Sequence, residues 1–408
     1  MNRTSHDLIA VPEIKERIVN FNFMALFGAV VFLFFALDFY IPVLPFYVID
    51  TGGGESAVGL LMGLFTLCSV VLRPFQGRNL NQRGRKRLLI TGIALYAVSG
   101  MALMILPPLS LVFIFRAIQG LGWGAFLLAY NTLTLDLAPA GRRGEALGLM
   151  GIAPPLSLAA APVISEQIRI ATDSNYLLLF FIASVAALLA LFSGLLVKEP
   201  SFKKGGEKIA QGEKAAQAVT VKKAPLLSRN VFFPSLIIFF MTFTLGSILT
   251  FLPLLGETRD IQAVGYFFTI FALTTVFSRP AAGRLSDRLG RSRVFLPGLL
   301  IASAALIMIA LAYSAEQLLI SAFILGLGFG ASHSSVMAMA ADKLSIMERG
   351  VGMATFTAAF DLGIVAGSST LGILLNWFDF KAVFMLCALV MLFPVLLYAI
   401  RNQMRPAN

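Results

Sequence analysis

"LRPFQGRNLNQRGRKRLLI" (residues 72–90) places six Arg and Lys residues between two long apolar runs, and "SRPAAGRLSDRLGRSRVFL" (residues 278–296) repeats its pattern 206 positions later. Arg73-Pro74 falls on Arg279-Pro280, Gly77-Arg78 on Gly283-Arg284, Gly84-Arg85 on Gly290-Arg291, and Arg87 on Arg293. The register extends without a gap from residues 58–150 onto 264–356. Val58-Gly59 meets Val264-Gly265, Gly120, Gly122 and Gly124 meet Gly326, Gly328 and Gly330, and Asp136 meets Asp342. Apolar coincidence would supply matching Leu and Phe; it would not supply Arg, Pro, Gly and Asp in register. Two copies of one template account for the pattern.

Composition says what the template is. The chain has 408 residues, of which 58% are hydrophobic and only 13% charged, and its mean hydropathy is +0.85. Such values lie outside the range of soluble globular domains. Apolar runs of about 20 residues, enough to cross a hydrocarbon layer of about 30 Å, recur along almost the whole chain. In lipid such runs must be helical, because no water satisfies their backbone N–H and C=O groups. Twelve spans are predicted: 21–47, 57–76, 88–107, 109–133, 146–167, 175–197, 230–254, 262–281, 294–313, 316–340, 351–376 and 380–400. Pro154, Pro155 and Pro162 interrupt the fifth. The first run is too long for a cleavable signal peptide, and none is expected.

Six spans separate equivalent points of the two copies, an even number, so the halves share one orientation. The expected architecture is an all-α integral membrane protein of 12 transmembrane helices in two parallel six-helix pseudo-repeats. Residues 1–197 form the N-terminal half, 198–229 a cytoplasmic linker and 230–408 the C-terminal half. The linker, with "KKGGEKIAQGEK" and eight basic residues, reads as a solvated tether or as a segment touching anionic lipid.

The formal charge of +11 invites a nucleic-acid reading, and the placement of the charge rejects it. Of the 32 Lys and Arg, 26 fall in the N-terminus, the even-numbered loops and the C-terminus, and Arg73 and Arg279 at the adjoining ends of their spans, against Arg169, Arg259 and Lys381 in odd loops and Arg116 deep inside a span. By the positive-inside rule this puts both termini in the cytoplasm. Cys68 and Cys387 both lie in spans and suggest neither a disulfide nor a metal site. "GLGWGA" and "GLGFGA" lie within apolar spans and lack a strand-turn-helix context, so they read as close helix packing. "TGGGES" reads as a flexible turn. No nucleophile-base constellation is present in the pattern, so no enzyme is expected.

Glycines at the short turns permit positive φ and close approach, while the Pro after Arg73 or Arg279 weakens the helix near its cytoplasmic end. The arginines serve either as topology anchors alone or as latches, pairing with Asp287 or with helix C-terminal carbonyls. Where the second copy has Asp287-Arg288, the first has Asn81-Gln82. The first latch is therefore expected to be weaker, or to use another acid such as Asp136 or Glu145. Gly283 to Arg293 resembles the loop 8–9 signature of the major facilitator superfamily, and Gly77 to Arg87 its loop 2–3 signature. Arg116, Gln119 and Gly120 resemble the R-x-x-Q-G motif of that superfamily's drug/proton antiporters. Gly148, Ser157, Ala161 and Pro162 keep the spacing of their fifth-span motif, with Ser and Ala where two glycines are usual.

Asp38, Arg116 and Asp361 are the ionisable residues deepest in apolar runs, and a charge there costs at least about 2.5–3.5 kcal/mol on insertion scales. At 1.5 Å per residue, Asp38 and Arg116 lie roughly 12 Å and 10 Å below the outer ends of their spans, which makes them a candidate pair. The resemblance implies that both spans line a central cavity. Asp38 is the expected proton carrier, Arg116 its electrostatic tuner, with Gln119 one turn away on the same face; a static interhelical salt bridge is the alternative. Asp361 is a candidate second proton site or cation-recognition residue. His333 is either a relay or a contact bonded to neighbouring serines. Tyr40 and Trp123 would suit an apolar ligand. The resemblance implies a proton-coupled transporter of a bacterial-type plasma membrane, monomeric, without a cofactor, exporting small organic molecules. Transport of one defined metabolite is the first alternative and a membrane receptor or scaffold the remote one.

Overall fold

A computed structural model describes residues 18–71, 84–139, 142–198, 228–344 and 348–403, and the regular elements among them are helical. The N-terminal half contains α1 (Phe21–Phe39), α2 (Leu44–Asp50), α3 (Glu55–Val71), α4 (Arg85–Ala102), α5 (Leu109–Leu137), α6 (Arg143–Met150), α7 (Ala153–Ala171) and α8 (Tyr176–Leu196). The C-terminal half contains α9 (Phe232–Thr258), α10 (Val264–Leu289), α11 (Ser292–Leu311), α12 (Ala315–Ala341), α13 (Arg349–Leu374) and α14 (Phe380–Gln403). Ten helical segments among the described residues are long and apolar enough to cross a membrane. The 17-residue α3 is shorter, and α10 runs into the polar loop signature, so twelve crossings result.

Two of the expected spans are broken. The first, expected as one helix over 21–47, stops at Phe39 and restarts at Leu44. Pro42 lacks the N–H a continuing helix needs and crowds the residue before it, while Pro45 sits comfortably in the first turn of α2. In the fifth, α6 ends at Met150 and α7 begins at Ala153, with Pro154 and Pro155 in its first turn and Pro162 inside it. Asn20 opens α1 by accepting the Phe23 N–H at 2.9 Å, supplying a partner for one of the donors a helix start leaves free.

The two halves repeat each other in their contacts. In the first, α1 packs on α7 and α8, α4 on α5 and α8, and α3 on α5; in the second, α9 packs on α13 and α14, α11 on α12 and α14, and α10 on α12. The halves meet where α3 lies against α13 and α7 against α10. Paired glycines explain why these contacts recur. A Cβ on Gly92 would fall 2.7 Å from the Gly122 carbonyl oxygen, and one on Gly298 would fall 2.9 Å from that of Gly328. Both crossings bring helix backbones together. The turns after residues 83 and 289 repeat as well, with Gly84 at φ +86° and Gly290 at φ +95°, values that a side chain would strain. Large apolar side chains such as Phe192, Phe277 and Leu389 cover the outside of the bundle, as a surface solvated by lipid tails requires.

Candidate functional site

Asp38 lies in the last turn of α1, immediately before the break, and is only 8% exposed. Arg116, in the interior of α5, is 2% exposed. Its Nη1 donates to Gln119 Oε1 at 2.8 Å, one turn further along the same helix. Its Nη2 reaches Met62 Sδ at 3.6 Å, and the guanidinium lies 4.3 Å from the Phe65 ring centroid and 5.7 Å from that of Tyr40. An aromatic face and a sulfur thus replace water around the cation.

The expected contact pair of Asp38 and Arg116 requires correction: among the described residues no ion pair within 4.0 Å joins them. Rise along a helix predicts height and not direction, and Arg116 is turned towards α3 and its own Gln119. The phenol of Tyr96 on α4, 1% exposed, interacts electrostatically with Asp38, Tyr40 and Arg116 together. Sequence reading missed Tyr96, because one tyrosine in the apolar stretch "ITGIALYAVSG" looks like packing. The Tyr96 hydroxyl, Arg116, the Gln119 amide and the Ser184 hydroxyl are all buried, with Tyr96 in reach of Arg116 and Tyr40 in reach of Gln119. Gly100 closes this group: a Cβ there would lie 3.2 Å from the Tyr40 hydroxyl, 3.4 Å from Gln119 Nε2 and 3.8 Å from Ser184 Oγ. The first half therefore holds, inside an apolar bundle, a carboxylate, a guanidinium, two phenols and an amide.

Trp123 packs among aromatic rings, 4.7 Å from Phe34 and 5.4 Å from Phe126 between centroids, so it supports the wall of this group. His333 is in the other half, stacked on Phe329 at 6.0 Å with Phe360 edge-on at 5.9 Å. The neighbouring serines bond elsewhere: Ser332 to the Phe295 carbonyl, Ser334 and Ser335 to that of Ala331. The serine-bonded alternative for His333 is thereby corrected to an aromatic setting. Asp361 is half-buried in α13, beside Phe360.

The loop signatures carry a matched salt bridge. Arg85 pairs with Asp136 in the first half, and Arg291 pairs with Asp342 at 2.9 Å in the second; 206 residues separate both partners. Of the two acids considered for the first loop, Asp136 thus pairs with Arg85 as the counterpart of Asp342, and Glu145 pairs with Arg142. Arg291 also bonds Asp287 and, at 2.9 Å, the Ser286 hydroxyl. The hydrogen bonds that the guanidinium donates to Asp342, above all, and to Asp287 raise its pKa further. Gly283 is half-buried with open space beside it, while Arg284 and Arg288 are exposed. Arg73, Gly77, Arg78 and Asn81 lie outside the described residues, as does most of the segment 198–229. In the span 5 motif, Ser157 bonds the Val31 carbonyl at 3.1 Å, tying α7 to α1. Ala161 is fully buried and Gly148 has open space where a Cβ would be.

The family model of the Major Facilitator Superfamily matches residues 26–268 and 258–407. "Multidrug resistance protein MdtG" of Serratia proteamaculans (strain 568) is 28% identical over 370 residues, covering 88% of each chain. The protein of that name from Enterobacter lignolyticus (strain SCF1) is 26% identical over 370 residues, covering 88% of this chain and 86% of its own. Among solved structures, the peptide transporter POT in complex with sulfate aligns with a TM-score of 0.72 at 16% identity, covering 94% of each chain. A POT family transporter in complex with 5-aminolevulinic acid aligns at 0.75 with 14% identity, covering 93% of this chain and 95% of that one; these likenesses concern the fold. With the family model matching nearly the full length and the repeated six-helix halves beneath it, the chain belongs to the major facilitator superfamily and is a multi-pass membrane transporter, not an enzyme.

Proposed function

We propose that this transporter exports small amphipathic or cationic organic molecules in exchange for protons, rocking its two halves to expose a central cavity alternately to each side. The observation that carries the reading is Asp38: a carboxylate at a helix break, 8% exposed, with no hydrogen bond or ion pair among the described residues. Unpaired burial opposes ionisation, and a nearby positive charge favours it. A cationic cargo close to Asp38 would favour the carboxylate and expel its proton; departure of the cargo would let the proton return. Arg116, held among Phe65, Tyr40 and Gln119, supplies a fixed charge in the same group of residues, and Tyr96 interacts with both it and Asp38. Asp361 would be a second titratable contact, from the opposite half.

The relatives named for multidrug resistance support this cargo class. The signature loops would face the cytoplasm, as would both termini, and the functional unit would be a monomer in the bilayer with protons as coupling ion. The test is flux of a fluorescent lipophilic cation in reconstituted vesicles with an imposed pH gradient. Wild type should move it in proportion to the gradient, and Asp38→Asn should show flux that ignores the gradient. Gradient-driven flux preserved in Asp38→Asn would refute the assignment.

A further inference from the structure

At the end of the bundle opposite the signature loops, the halves touch at two crossings related by the repeat. At one, a Cβ on Gly59 would strike the Ser368 carbonyl oxygen and approach the Gly372 Cα at 3.1 Å. At the other, a Cβ on Gly265 would lie 2.6 Å from the Val163 Cα, 2.8 Å from Glu166 Oε2 and 3.0 Å from the Pro162 carbonyl oxygen. Gly59 and Gly265 are 206 residues apart, as are Pro162 and Ser368, so the backbone contact is one contact made twice. The chemistry is not. Glu166 falls on Gly372 under the same offset; a buried carboxyl group in one crossing stands where the other has a hydrogen atom.

Glu166 is 4% exposed, and its Oε2 accepts the Gly265 N–H at 2.7 Å. Gly265 is the second residue of α10, so a carboxyl group of one half is sealed against a helix start of the other. Thr269 donates to the Ala159 carbonyl at 2.5 Å, a second hydrogen bond from α10 to α7. The charged groups facing Glu166 are Arg169 of its own helix, Glu257 of α9, and the loop acids Asp173 and Asp260, which line with it a cavity of about 230 Å³; α10 presents N–H groups there. Arg169 is paired with Glu257 at 3.0 Å and stacks 3.8 Å from the Phe46 ring of α2, so an acid other than Glu166 already offsets its charge.

Two effects oppose each other at Glu166. The N–H groups at the start of α10 favour a charged carboxylate, while the loss of nearly all its water and the acids beside it favour the neutral carboxyl. The second prevails, because one amide bond replaces the several water contacts of an exposed carboxylate, and a neutral carboxyl keeps that bond through its carbonyl oxygen. We propose that Glu166 is a proton-binding site of the closed end: it holds a proton while α7 lies against α10 and releases it to water when the two separate. A site that binds its proton more tightly in one conformation stabilises that conformation as the pH falls. Acid therefore favours the closed end and alkali the open one. The proton binds a carboxylate oxygen and is exchanged with the medium this end faces, so no other reactant is involved. In an exporter, acid on that side would drive the emptied protein back to the form open at the signature loops. The site rests on the alternating-access reading above and is separate from Asp38.

Nitroxide labels at Ala171→Cys and Gln262→Cys, exposed positions on opposite halves at this end, report its opening by double electron-electron resonance in lipid nanodiscs. The background carries Cys68→Ser and Cys387→Ala. Raising the pH from about 5 to about 8 should increase the ratio of long to short distances by about fivefold or more, with a slope no steeper than about tenfold per pH unit, the limit for one proton. Glu166→Gln, which keeps a neutral acceptor for the Gly265 N–H, should hold the low-pH wild-type ratio at both pH values. Glu257→Gln removes a facing negative charge and leaves Arg169 to favour an ionised Glu166 in the closed end, so the rise should shrink. A wild-type ratio that stays level or falls as the pH rises overturns the proposal without any variant. So does a rise retained in Glu166→Gln, or one undiminished in Glu257→Gln. The readout needs neither cargo nor gradient, and Asp38→Asn in the same labelled chain should keep the response even though flux coupling is lost. A response abolished by Asp38→Asn and retained by Glu166→Gln would overturn the assignment and place the site at Asp38. Wild-type flux that ignores an imposed gradient would sink the exchange reading and leave the distance response, and with it this site, standing.

Discussion

Replacing Asp136 or Asp342 by Ala removes the same partner from the same arginine in the two copies of the template, yet the consequences should differ. The side chain of Asp136 is 14% exposed and that of Arg85 24%. Losing a largely buried hydrogen-bonded charge pair costs about 1.5–3 kcal/mol. Asp342 is 55% exposed, and Arg291 keeps both Asp287 and the Ser286 hydroxyl after its loss. Exposed pairs are worth about 0–1 kcal/mol. The difference between the variants is therefore about 1–2 kcal/mol. Thermal unfolding of the detergent-solubilised protein reads it directly: Asp136→Ala should melt clearly below Asp342→Ala, which should stay near wild type. Restoring an acid to the first loop with Asn81→Asp should recover part of the loss in Asp136→Ala, since the second copy shows an acid at that position bonded to the matching arginine. Equal melting points, or a larger loss for Asp342→Ala, would refute the argument that burial sets the strength of the two latches.

Four other substitutions test separate parts of the structure. Gly122→Ala would place a Cβ 2.6 Å from the Gly92 carbonyl oxygen, and Gly328→Ala one 2.6 Å from that of Gly298; each should cost about 1–3 kcal/mol by forced helix separation, measured by thermal melts. Arg116→Lys keeps the charge but cannot both bond Gln119 and spread a planar group over Phe65, so gradient-driven flux should fall by about tenfold or more while the melt changes little. Arg259 donates to the carbonyls of Ile309, Ala310 and Ala312 at the C-terminal end of α11, so Arg259→Ala should lower stability by about 1–3 kcal/mol without altering the pH dependence of flux.

The twelve spans were legible because their length and apolarity are imposed by the bilayer and not by tertiary contacts. The repeat was legible because turn glycines and salt-bridge partners are fixed by geometry, whereas the sequence left Asp136 and Glu145 open as partners for the first loop's arginines. The break after Asp38 was not located, although Pro42 and Pro45 signal it: an apolar run reads continuously through a helix interruption. The pairing of Asp38 with Arg116 failed for a different reason, since equal depth leaves the facing of each side chain open, and local bonding to Gln119 with stacking on Phe65 decides it. Tyr96 and Glu166 escaped notice because one resembles a packing residue and the other a residue at the end of a span; only the fold brings Glu166 to Gly265. Arg169 and Arg259, exceptions to the charge asymmetry, are placed by Glu257 and by the α11 carbonyls.

The account turns on whether cargo and proton compete through Asp38. Binding of a lipophilic cation to purified protein in weakly buffered detergent solution, near the pH at which Asp38 is half protonated, should release a substantial fraction of one proton per molecule bound, as linkage requires of a titrating site that contacts a cation. Asp38→Asn should bind the cation without releasing a proton. Equal proton release from wild type and Asp38→Asn, or none from wild type across the whole range in which it binds, would contradict the proposed coupling.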